Sequence, residues 1–217
     1  HATLPAPWPW IATVVLLVIA DLAPVPLPAG GQASVSTILE LPAVFLLGPL
    51  ATLAADVLVS LAVAGGVHRK SPMRLLHNLA VDALTFFATD AVLRLAGGHT
   101  GVVTFPRDAV ALAAASLTYF VVNSACVSIA LGVTSGPDPW RVWQRNVQQG
   151  LLHHLSFVSL GALVAVLVST AGPWSLALFL FPFLVARYSF RTQVEIRSDL
   201  RVAPTFSRKG WRQHSVR

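Results

Sequence analysis

The run "AVALAAASLTYFVVNSACVSIALGVT", residues 109–134, contains no charged side chain. A helix that is apolar all round has no face to offer water, and a bilayer core calls for about 20 apolar residues per crossing. Runs of similar character occupy residues 9–27, 35–49, 50–66, 75–96, 149–170 and 173–187. Only 11% of the chain is charged and 55% is hydrophobic, with mean hydropathy +0.69, whereas soluble domains carry roughly 25% charged residues. The pattern predicts an all-α polytopic transmembrane helix bundle over residues 9–188, preceded by a short segment (1–8) and followed by a basic tail (189–217). Gly48-Pro49 divides the short second run from the third. Proline removes a backbone donor and disfavours helix at the residue before it, so 35–66 reads as a tight helical hairpin or as one kinked span with a half-helix entering the membrane. The count is six or seven helices.

The connectors agree with this division. "APVPLPAGG" (23–31), "AGGVHRKSP" (64–72), "AGGHTGVVTFPRD" (96–108), "TSGPDPW" (134–140) and "AGPW" (171–174) are rich in turn formers. Trp8, Trp10, Trp140, Trp143 and Trp174 fall at predicted span ends, where amphipathic rings favour the headgroup layer. Thirteen of the fifteen basic residues lie in three segments: Arg69, Lys70 and Arg74; Arg141 and Arg145; and Arg187, Arg191, Arg197, Arg201, Arg208, Lys209, Arg212 and Arg217. Alternate-side counting puts all three on one face, which the positive-inside rule makes cytoplasmic. The C-terminus is then inside; the N-terminus is outside with seven spans and inside if the second segment is re-entrant. Nothing before residue 10 resembles a basic n-region, so no signal peptide is expected. The basic face predicts contact with anionic lipid, about 1 kcal/mol per nearby Lys or Arg. A nucleic-acid site is not expected, because the tail lacks interleaved stacking aromatics.

Charges inside the apolar runs are the candidate functional residues. An Asp or Arg at a helix centre costs about 2.5–3.5 kcal/mol on insertion scales. In "HNLAVDALTFFATDAVLR" (77–94), Asn78, Asp82 and Asp90 fall within one sector of the helix, which predicts that this sector faces the bundle interior. Arg94 follows Asp90 at the i+4 spacing of an ion pair. Asp56, Glu40, Asn123 and the pair His153-His154 offer partners on other spans. The expected interior cluster is Asp56, Asp82, Asp90, Asn123 and His154, either as a site for a small polar ligand or a proton, or as mutually satisfied packing. A metal site from His77, Asp82, His153 and His154 is the least favoured reading, because adjacent histidines point about 100° apart on a helix.

Cys126 is the sole cysteine, so no intrachain disulfide or cysteine metal site is expected. There is no GxSxG, HExxH or P-loop, and no enzymatic activity or cofactor is expected. A protein partner or a second copy of the chain is expected instead.

The stretches "LLGPLATLAADVLVSL", "RLLHNLAVDAL", "YFVVNSACVSIAL", "WRVWQRN" and "FLVARYSFRTQVEIR" resemble a bacterial membrane module found at the N-terminus of HD-type phosphohydrolases and diguanylate cyclases. The resemblance covers most of residues 10–200, with Asn78, Asn123, Trp140, Arg145 and Arg187-Tyr188 at matching positions. It implies a multi-pass sensory or anchoring domain of the bacterial cytoplasmic membrane, whose last helix runs into an output domain. No HD pair or GGDEF-like stretch follows Leu200, so output is expected from a longer chain or a partner. The first half is also similar to small substrate-binding subunits of vitamin transporters, in which a Gly-Pro kink separates two short helices; this implies ligand capture for uptake as the alternative. An accessory subunit of a larger membrane complex is the third reading.

Overall fold

The computed structural model describes residues 8–22, 25–26, 32–33, 36–101, 103–136, 138–172 and 175. The predicted tail, nearly all of the predicted last span and the Arg187-Tyr188 pair lie outside the described residues. Six helices dominate: α1 (Trp8–Asp21), α2 (Thr37–Leu47), α3 (Pro49–Val59, continuing as wider π-helical turns over Ser60–Val67), α4 (Pro72–Leu95), α5 (Ala109–Ser135) and α6 (Pro139–Ala171). Between α1 and α2, β1 (Val25–Pro26) pairs antiparallel with β2 (Gln32–Ala33). Among the described residues, two helices are long and apolar enough to cross a membrane, Pro49–Val67 and Ala109–Thr134.

Local chemistry explains the boundaries. Gly48 takes φ +87, a conformation that side chains disfavour, and Pro49 opens α3 at a position where its missing N–H is not needed. Residues 37–67 therefore form a helical hairpin and not one kinked span. At about 1.5 Å per residue, α2 extends about 16 Å, roughly half a hydrocarbon core. Helix α6 begins ten residues before the predicted span. Asp138 caps it by accepting from the Trp140 N–H at 3.2 Å, and Pro139 occupies the first turn, so "WRVWQRN" is helical and not a connector. Helix α1 stops at Asp21, short of the predicted residue 27.

Helix α2 sits at the centre. Every residue from Glu40 to Phe45 is buried. Leu41, Val44 and Phe45 join Phe86 and Leu93 of α4, Leu112 and Tyr119 of α5, and Ala165 of α6 in the main apolar cluster. Leu17 of α1 packs on Ala55, Val59 and Val63 in a smaller one, and the Trp10 indole N–H ties α1 to the Ala51 carbonyl at 2.8 Å. Leucines and isoleucines on the outer faces, such as Leu50, Leu58, Leu84, Leu117 and Ile129, stay exposed as a lipid-facing surface requires.

The α2–α6 crossing is tight for an identifiable reason. Pro42 leaves the Ile38 carbonyl without its helical donor. Gly161 of α6 lets the helices close over that carbonyl: a Cβ at 161 would lie 3.3 Å from Ile38 O and 3.3 Å from Leu41 Cβ. Gly161→Val is expected to destabilise the bundle by about 1–3 kcal/mol, read as a lower unfolding midpoint in detergent; an unchanged midpoint would mean that the crossing is loose.

Candidate functional site

Helices α4 and α5 run antiparallel, and the Phe86 ring stacks on Tyr119 with centroids 6.4 Å apart. That contact sets the register. One turn toward the α4 start, Asp82 comes level with Asn123; one turn the other way, Thr89 comes level with Ser116. Helix α2 delivers Glu40 to the same depth. The Tyr119 hydroxyl, fully buried, donates to Glu40 Oε2 at 2.5 Å. At the head of α2, Ser36 lies against the Glu40 carboxyl and Thr37 against the Tyr119 hydroxyl.

Around this pair gather the carboxyls of two further helices. Asp56 of α3 and Asp82 of α4 are side-by-side neighbours, and Glu40 lies within electrostatic reach of both. Asp21, at the end of α1, is close enough to be felt by all three. Asp56 is buried and Asp82 partly so. The ion pairs among the described residues, Arg94 with Asp90 and Arg141 with Asp138, lie elsewhere. Glu40, Asp56 and Asp82 are thus an acidic group from three helices, gathered where charge is poorly hydrated, and none of the three is paired with a cation among the described residues.

Asp90 does not join them. It lies two turns along α4, about 12 Å from Asp82 along the axis, and both its oxygens are occupied. Arg94 Nε donates to Oδ2 at 2.8 Å, Thr100 Oγ1 donates to Oδ1 at 2.7 Å, and Arg94 Nη2 reaches the Thr100 hydroxyl at 3.2 Å. The Arg94 side chain is 60% exposed, so the pair itself contributes little in high dielectric. The buried carboxylate and its hydroxyl partner matter more. Thr100→Val is expected to cost about 1–2 kcal/mol of stability, measured as the unfolding midpoint; a loss as small as that of a surface substitution would show that Arg94 alone satisfies Asp90.

Of the remaining expected residues, Asn123 is partly buried on the Tyr119 face of α5, one turn away. His154 lies on α6, but its side chain, like that of His153, falls outside the described ones. Asn78 was placed with Asp82 on the inward sector, yet it is exposed, as are Met73, Arg74, Leu76 and His77. The first turns of α4 stand clear of their described neighbours, so helical phase alone does not bury a residue there. Among the described residues, no group of three His, Cys, Asp or Glu side chains is arranged to hold a metal ion.

Glu40 and Tyr119 are the participants that sequence reasoning left out of the site. A carboxyl inside an apolar run was a visible signal for Glu40. Tyr119 carried none, because its role depends on the α2–α5 approach.

No curated protein and no solved structure matches the chain. A family model described as MASE9 matches residues 23–191 of the 217, a stretch that holds the α2–α3 hairpin, the acidic group and both helices long and apolar enough to cross a bilayer. The chain thus belongs to the MASE9 family of membrane-associated sensor domains.

Proposed function

We propose that this chain is the input module of a signalling assembly in the bacterial cytoplasmic membrane, without catalytic activity of its own. The bundle crosses the membrane six or seven times, with the basic end and the C-terminus in the cytoplasm. Arg69, Lys70, Arg74 and Arg141 lie in or beside the two connectors of that end and support this orientation by the positive-inside rule. They also suit the end to anionic headgroups and to a soluble partner.

One observation carries the sensory reading: Glu40, Asp56 and Asp82 meet on three different helices without a described counter-charge. A purely structural bundle gains nothing from gathering acids, since apolar residues pack there at lower cost. A sensor does gain. Anything positive that enters the group favours the arrangement in which the helices converge, and a few kcal/mol of differential binding shifts a two-state equilibrium.

Two measurements test this. Affinity-tagged chain from its own cells should retain a soluble kinase, cyclase or phosphodiesterase; retention of an ATP-hydrolysing transport module instead would favour the uptake subunit. Asp82→Asn should then change the activity of that partner several-fold without weakening its retention. Unchanged activity with a folded, retained variant would sink the sensory reading.

A further inference from the structure

Helical threonines in this protein share a habit. Thr13, Thr52, Thr118, Thr134 and Thr170 each turn the hydroxyl onto the carbonyl one turn back, at 2.8–2.9 Å. This is the usual way to silence a hydroxyl in an apolar setting. Thr85 and Thr89, 1% and 0% exposed, do not do it, and neither does Ser116 at 5%. Their hydroxyls have no hydrogen-bond partner, and Asp56 Oδ2 is likewise unmet. Orphaned buried polar atoms are rare and ask for a water, an ion or a ligand.

Their placement is ordered. Thr85 follows Asp82 by one turn on the inward face of α4, Thr89 follows by another, and Ser116 stands opposite Thr89 across the seam with α5. An unsatisfied hydroxyl track therefore leads away from the acidic group. Among the described residues, the titratable groups that act on one another here are Asp21 on α1, Glu40 on α2, Asp56 on α3, Asp82 on α4 and Tyr119 on α5. Asp56 and Asp82 lie within hydrogen-bond reach of each other, so a proton between them is used within the pair, and the Tyr119 hydroxyl is committed to Glu40. What is missing is a positive charge that brings its own N–H donors, joined to a group that hydrogen-bonds with hydroxyls.

We infer that the space between α2, α3, α4 and α5 is a binding site for a small organic ammonium ion with a polar tail. The ammonium donates to Asp56 and Asp82, with Glu40 within electrostatic reach, and the tail lies along Thr85 toward Thr89 and Ser116. A bare metal ion fits poorly, since no three of the described ligand-type residues are arranged to coordinate one. A free amine and the headgroup of an aminolipid share this chemistry; the ligand here is the free solute, which a detergent free of aminolipid tests. The role of the site as an input rests on the sensory reading; its existence does not.

The test uses the full chain in a detergent free of aminolipid, at neutral pH and matched ionic strength, with ethanolamine, choline and sodium as chlorides. Choline carries the same charge and hydroxyl but no N–H. Ethanolamine near saturation should raise the unfolding midpoint by about 5 °C or more, and choline and sodium should not. Asp56→Asn and Thr85→Val should each remove most of that shift while the unliganded midpoint falls no lower than that of the parent chain. No shift with ethanolamine, or equal shifts with choline or sodium, would overturn the site. A specific shift combined with an Asp82→Asn variant that leaves partner activity untouched would keep the site and remove the sensory role. Altered partner activity with no ethanolamine shift would do the reverse.

Discussion

Tyr119→Phe is expected to lower stability by about 2–3 kcal/mol, although it removes a single oxygen. The hydroxyl donates to Glu40 Oε2 at 2.5 Å in a fully buried setting. Without it, the carboxyl stays enclosed by Leu41, Val44 and their neighbours with Ser36 as its remaining close partner. Removing one partner of a buried polar pair exposes the whole desolvation penalty of the other, about 1–3 kcal/mol and more for a charged group. Glu40→Leu should also destabilise, by leaving the buried phenol with Thr37 as its remaining close partner. The double variant should recover part of the loss, because neither polar group then remains. Unfolding in mild detergent for the parent, both single variants and the double variant closes the cycle. Additive losses would mean that the two groups do not depend on each other, and that water or another side chain satisfies each of them.

What could be read from the sequence, and what could not, follows from the range of each interaction. The apolar runs and the Gly48-Pro49 break act within one helix or one turn, and so the α2–α3 division and the course of α4 and α5 were legible. The pairing of Asp90 with Arg94 is likewise a matter of i+4 spacing on one helix. The start of α6 was missed because "TSGPDPW" reads as a turn until Asp138 is recognised as a cap and Pro139 as a first-turn residue. Membership of the cluster depends on contacts between helices. Asp82 and Asp90 share a helix face, yet Thr100 takes one aspartate into the connector while the other meets Asp56 across the α3–α4 contact. Asn78 shares that face and is exposed among the described residues. Helical phase narrows the candidates, and only packing selects among them.

The largest effect on function is expected from neutralising the acids, and its sign on stability separates a site from packing. The double variant Asp56→Asn/Asp82→Asn keeps shape and removes the repulsion between neighbouring carboxyls that have no described counter-ion. Groups retained for structure lose stability when altered. Groups retained for binding are held against stability, and removing them commonly gains about 0.5–2 kcal/mol per site at the expense of activity. The double variant should therefore unfold at a higher midpoint than the parent chain, by about 1–2 kcal/mol, while the response of the partner falls to the level of an empty sensor. Asn at 82 also keeps a polar neighbour for Asn123 at the same depth, so the helices need not move apart. A lower midpoint would show that the carboxyls share protons and bridge α3 to α4. The acidic group would then be interhelical glue, and the input site would have to lie elsewhere in the bundle. A higher midpoint with the response intact would deny both roles to the pair, and leave the structural work among the acids to Glu40 with Tyr119 and to Asp90 with Thr100.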